Sequence, residues 1–245
     1  MWEYFLLGAL QGIFEWLPIS SQGVMTIFSS FVDIEMSAID FSLFLHSGTM
    51  LAVLIFFRKD WINLILLKDK ELLRFFVIAS IVSLSLGFVL YKTIGDIALG
   101  SGLLFLIGFG LLLTSWFQKK NIRLNISKDF NSIIVGLLQG LSVIPGVSRS
   151  GSTIFGLSLK ENDPSEILKR SYIISLPAVA ASTGYIFLNN PTISSFPWIT
   201  LLSSFIFGII SLKLLLGFSK KVNFSKLTMI FGILCIIGGI IEWLI

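Results

Sequence analysis

Leu10 to Gly23 reads LQGIFEWLPISSQG, and an altered copy returns at Leu138 to Gly151 as LQGLSVIPGVSRSG. Both open on Leu-Gln-Gly, run through apolar residues into a proline, and close on a serine-rich turn ending in glycine. The proline comes one residue sooner in the second copy. Proline cannot continue a helix without losing a backbone bond, so each copy is an apolar helix that breaks. The first copy carries a carboxylate, Glu15, and the second a guanidinium, Arg149. Broken apolar segments at corresponding places in two halves of a membrane chain point to a site at the interface of an inverted repeat.

Composition supports the membrane reading. Hydrophobic residues make up 55% of the 245 residues and charged residues 13%, against about 25% charged in soluble domains. Mean hydropathy is +0.91. The apolar N-terminus lacks a basic leader region, so no signal peptide is expected. The single cysteine, Cys235, permits no internal disulfide or cysteine-based metal site. The net charge of +4 sits in short loops and no nucleic-acid module is present, so a nucleic-acid partner is not expected.

Six apolar runs, near 40–57, 75–92, 101–117, 171–188, 198–218 and 227–245, are long enough to cross a bilayer as helices. The broken segments, roughly 3–32 and 131–159, are read as re-entrant hairpins that enter and leave by one face. Loops 58–74, 118–130, 160–170 and 219–226 then share one side and hold 15 of the 18 Lys and Arg residues, which makes that side cytoplasmic. Trp2, Trp61, Trp116, Trp198 and Trp243 fall near span ends, as interfacial anchors do. The expected fold is an all-α integral membrane protein with six transmembrane helices and two re-entrant helical hairpins. It forms one membrane domain, whose inverted halves cover about 1–118 and 128–245. Irregular backbone at membrane depth must be buried in protein or line a wet cavity, so the two turns are expected to meet.

Gln11 and Glu15 are four apart and share a helix face. An acid inside an apolar stretch is functional by default, although a structural ion pair with Arg149 would also explain it. The second turn, Pro145 to Thr153, offers glycines that let backbone approach a ligand, hydroxyls at Ser148, Ser150 and Thr153, and a helix N-terminus suited to an anion. Arg149 adds a permanently charged fork matched to phosphate. His46, the one histidine, stands near the start of the first span and reads foremost as a hydrogen-bonded packing residue, with catalysis as the minority reading.

These motifs resemble those of the undecaprenyl-pyrophosphate phosphatase family, the bacitracin-resistance type of integral membrane phosphatase. The family's first motif, E/Q-x-x-x-E followed by L-P-x-S-S-x-G-H, is met by Gln11, Glu15, Leu17, Pro18, Ser20, Ser21 and Gly23. Its second, P-G-x-S-R-S-G-x-T, is met at every fixed position from Pro145 to Thr153. FLHSGTMLAVLIFF, around His46, resembles the family's first full span.

The resemblance implies hydrolysis of a polyprenyl pyrophosphate lipid to the monophosphate, which recycles the carrier for envelope glycan synthesis. The site would open to the outer face of the cytoplasmic membrane and use a divalent cation, Mg²⁺ or Ca²⁺. Carried over by position, Glu15, Ser21 and Arg149 are the catalytic set, with Glu15 also the metal ligand. Gln11, Ser20, Ser148, Ser150, Gly151 and Thr153 would bind substrate. A homodimer is compatible with the sequence. Val24 stands where the family has a histidine, which leaves the nucleophile open between Ser21 and a water. The alternative function is a lipid-phosphate translocase that does not hydrolyse.

Overall fold

The computed structural model describes residues 2–17, 21–29, 31–32, 38–94, 126–144, 147–161, 163–189 and 197–219, with separate positions within 105–120 and 225–240. The helices are α1 (Trp2–Phe14), α2 (Ser21–Ser29), α3 (Ala38–Phe56), α4 (Arg58–Ile65), α5 (Lys70–Ile94), α6 (Lys128–Leu141), α7 (Arg149–Ser158), α8 (Pro164–Asn189) and α9 (Trp198–Phe218). No strand occurs among the described residues.

Both repeated stretches break as expected. After α1, Leu17 N–H donates to Phe14 O at 3.2 Å. After α6, Ser142, Val143 and Ile144 donate to Gln139, Gly140 and Leu141. These three-residue turns tighten each helix end and use up carbonyls that would otherwise be orphaned. The Ser148 hydroxyl accepts from Gly151 N–H at 3.1 Å and restarts the chain as α7.

Among the described residues, three helices are long and apolar enough to cross a bilayer: Lys70–Thr93, Pro164–Asn189 and Trp198–Gly217. A fourth candidate is α3 with α4, bent by 74° at Phe57. The protein is thus an all-helical, multi-pass membrane protein. Ile81, Phe88, Val89, Ile206, Ile210 and Leu214 are exposed on α5 and α9, as lipid-facing side chains are. The expected spans 101–117 and 227–245 lie largely outside the described residues. Where those runs are described they touch: a Cβ on Gly108 would stand 2.5 Å from Ile236 Cγ1 and 3.0 Å from Gly232 O. The segment after α3, expected as a loop, begins with helix α4. It buries Leu64 and packs Trp61 on the core while Ile62 and Ile65 stay exposed.

The closest helix contacts are made at glycines. Hydrocarbon offers little hydrophobic drive between helices, so small residues that let backbones approach are favoured. On α1, Gly8 and Gly12 lie against Thr200, Ser203, Ser204 and Gly208 of α9. On α6, Gly136 and Gly140 lie against Ala79, Val82, Ser83 and Leu86 of α5. Gln139 stands beside Gly140. Its Nε2 donates to Ser83 Oγ at 3.0 Å and to Ile174 O at 3.1 Å. Pro177 interrupts the α8 ladder just beyond that carbonyl.

Polar contacts tie one end of the molecule together. Arg74 pairs with Asp129, Lys128 with Glu71, Lys169 with Asp60, and Arg170 with Glu71 and Glu166. Lys160 Nζ donates to Ile126 O at 2.5 Å. Residues of three of the four basic loops therefore meet at one end, as the charge pattern requires.

Candidate functional site

The two turns meet. Ser150 Oγ, at the start of α7, donates to Leu17 O at 2.6 Å. Trp16 is fully buried behind them; its Nε1 donates to Gly208 O at 2.9 Å, and its own carbonyl accepts from Tyr172 Oη at 2.9 Å. The Trp16 and Tyr172 rings pack edge to face with centroids 5.3 Å apart. The backbone around Glu15 is thus fixed by α7, α8 and α9 together.

Glu15 is buried and receives four donors on two oxygens. Oε2 accepts from Gln11 Nε2 at 2.9 Å and from Ser21 Oγ at 2.8 Å, and lies 3.0 Å from His46 Nε2. Oε1 accepts from Arg149 Nη2. A carboxylate in a low-dielectric interior persists only when paired and hydrogen-bonded in this way. The guanidinium is only partly used: Arg149 Nη1 is buried with no hydrogen-bond partner among the described residues. The same holds for Gln11 Oε1.

His46 is drawn in from α3. Its Nδ1 donates to Ser42 O at 2.5 Å, and Gln11 Nε2 lies 3.3 Å from the same nitrogen. Nε2 faces Glu15, while Nδ1 stands between the Ser42 carbonyl and the Gln11 amide nitrogen.

The structure brings Gln11, Glu15, Ser21 and Arg149 of the expected set to one point. Ser148, Ser150, Gly151 and Thr153 each bond within the protein. Ser148 caps α7 through Gly151 N–H, and Ser150 holds Leu17. Thr153 Oγ1 donates to Arg149 O at 2.9 Å and lies 2.6 Å from Ser171 Oγ on α8. Ser20 lies outside the described residues. Val24 is buried. His46, Tyr172 and Trp16 are site neighbours that sequence spacing does not announce. Only the apolar setting of a lone histidine hinted at one of them.

The donor set does not fit a divalent cation held by the protein. Glu15 is the one carboxylate here, both its oxygens are occupied by donors, and a guanidinium stands against it. Among the described residues no three His, Cys, Asp or Glu side chains converge. The arrangement suits an anion instead, with a free guanidinium N–H beside a hydroxyl whose proton points at a carboxylate.

Comparison with known proteins agrees with this chemistry. The family model described as bacitracin resistance protein BacA matches residues 4–241. An undecaprenyl-diphosphatase of Methanothrix thermoacetophila is 35% identical over 94% of this chain and 93% of its own length. Proteins of the same name from Haloarcula marismortui and Thermosipho africanus are each 31% identical, over 96% and 99% of both chains respectively.

Proposed function

We infer the function from one premise: the chain belongs to the bacitracin resistance protein family BacA. Like the relatives named undecaprenyl-diphosphatase, it is a membrane hydrolase that converts undecaprenyl pyrophosphate to the monophosphate and inorganic phosphate. The observation that carries this reading is the Glu15–Arg149 junction of the two broken helices, where Arg149 Nη1 has no hydrogen-bond partner among the described residues.

In the mechanism, the terminal phosphate takes Arg149 Nη1 and draws the guanidinium away from Glu15. Ser21 Oγ bonds the terminal phosphorus as the phosphorus bond to the bridging oxygen breaks. Polyprenyl phosphate leaves with that electron pair, and the Ser21 proton passes to Glu15. Water then splits the Ser21 phosphoester, Ser21 regains a proton, and inorganic phosphate departs. Arg149 stabilises charge on the phosphoryl oxygens throughout. The lipid tail lies between apolar helices.

The architecture in this reading is an inverted repeat of six spans and two re-entrant hairpins in the cytoplasmic membrane, with the site opening outward. The exchanged packing supports it. The first hairpin's α1 seats on α9 of the second half, and the second hairpin's α6 seats on α5 of the first.

The test is phosphate release from a polyprenyl pyrophosphate by the purified protein in detergent. Glu15→Ala and Arg149→Ala are expected to abolish release. Arg149→Lys should lose about a hundredfold or more, since a point charge cannot replace the fork. Wild-type turnover in Arg149→Lys would remove the clamp, and no release from folded wild-type protein would favour a translocase.

A further inference from the structure

We propose that His46 is the positioning residue that keeps Arg149 open for the pyrophosphate, a part that Val24 cannot play. The proposal rests on the pyrophosphate reading above. A carboxylate and a guanidinium pair best as a two-pronged fork, and here they do not. Arg149 engages Oε1 through Nη2 alone, and Nη1 is buried without a partner among the described residues. The reason lies at the other oxygen. Oε2 is held by Gln11, Ser21 and His46, at 2.9, 2.8 and 3.0 Å. Gln11 reaches from α1 and Ser21 from the start of α2, both within the broken segment that carries Glu15. His46 comes from outside that segment, on α3, and is anchored there by its 2.5 Å bond to Ser42 O.

His46 therefore fixes the rotation of the Glu15 carboxylate. Without it, the carboxylate is free to turn both oxygens onto Arg149 and occupy Nη1. The anion site would then be closed by the protein's own acid. The family's first-motif histidine is replaced by the buried, apolar Val24, and α3 supplies a histidine to the same carboxylate.

Two substitutions separate this role from simple packing. In His46→Asn the amide nitrogen stands near Nδ1, within reach of Ser42 O but short of Glu15. In His46→Gln the amide nitrogen extends towards the Nε2 position and donates to Oε2. The measurements are binding of inorganic pyrophosphate by calorimetry, and KM and kcat for phosphate release, on the full chain in detergent. His46→Asn should weaken pyrophosphate binding and raise KM by about ten- to a hundredfold, the loss of one charged hydrogen bond. His46→Gln should recover most of that binding. Equal behaviour of the two variants, whether both impaired or both like wild type, would overturn the proposal. If wild-type protein binds pyrophosphate in this His46-dependent way yet releases no phosphate, the hydrolase reading fails and the positioning role stands.

Discussion

Glu15 holds its place because its neighbours are themselves held from three other helices, and Tyr172 is the clearest case. Its buried hydroxyl donates to the carbonyl of Trp16, the residue next to Glu15. Tyr172→Phe leaves that carbonyl without its donor and should cost about 1–3 kcal/mol. That corresponds to roughly 2–4 °C in Tm per kcal/mol for a chain of this size, measurable by thermal unfolding in detergent. An unchanged Tm would show that the hydroxyl does not fix the turn. The Glu15–Arg149 meeting was legible in the sequence because a lone acid and a lone arginine in apolar turns have few partners but each other. His46 was not, because its link to Glu15 exists only once α3 packs beside α1 and α2. Thr153, four residues beyond Arg149 in α7, bonds back to Arg149 O and to Ser171, the latter a contact that depends on α8 packing beside α7.

The elements pack through their small residues. A Cβ on Gly136 would stand 2.7 Å from Ala79 O and 2.8 Å from Val82 Cβ, with backbone on one side. Gly136→Ala should therefore force α6 off α5 and destabilise the protein by about 1–3 kcal/mol. Gly184 on α8 has nothing within 4 Å of its Cβ position. Gly184→Ala should leave stability unchanged or raise it by up to about 1 kcal/mol, through helix propensity alone. Detergent melting of the two variants side by side tests the contrast, and a matched loss in both would refute close approach as the cause. Broken helices were readable from proline and period. The α4 helix was not, because the basic residues from Arg58 onward read as a topology-setting loop. Its end is closed by Leu67 at φ 54° and by Lys68 N–H donating to Asn63 O at 2.9 Å. That left-handed position usually takes glycine, and nothing in the residue types announces it here.

For the whole molecule, the ion pairs at the basic end join segments 58–74, 126–130 and 160–170, and the proposed orientation puts that end on the cytoplasmic side. Single cysteines at Lys68 and Asp163, in a Cys235→Ser background, should react with a membrane-impermeant thiol reagent only after cells are opened. A cysteine at Asn189 should react in intact cells. Labelling of all three from outside would refute the inverted arrangement. The gathering of three basic loops at one end was legible because the charges mark those loops. The exchange of partners between halves was not, because it depends on which glycine face meets which helix. That exchange governs how the chain is made. The turn after α1 is made long before its seat on α9: Trp16 bonds to Gly208, 192 residues later. Until Arg149 arrives with α7, Glu15 sits in the bilayer without its cation, a poor resident of hydrocarbon. Biogenesis is therefore a wait, in which the first half is inserted early and becomes an enzyme only when the second half closes over it.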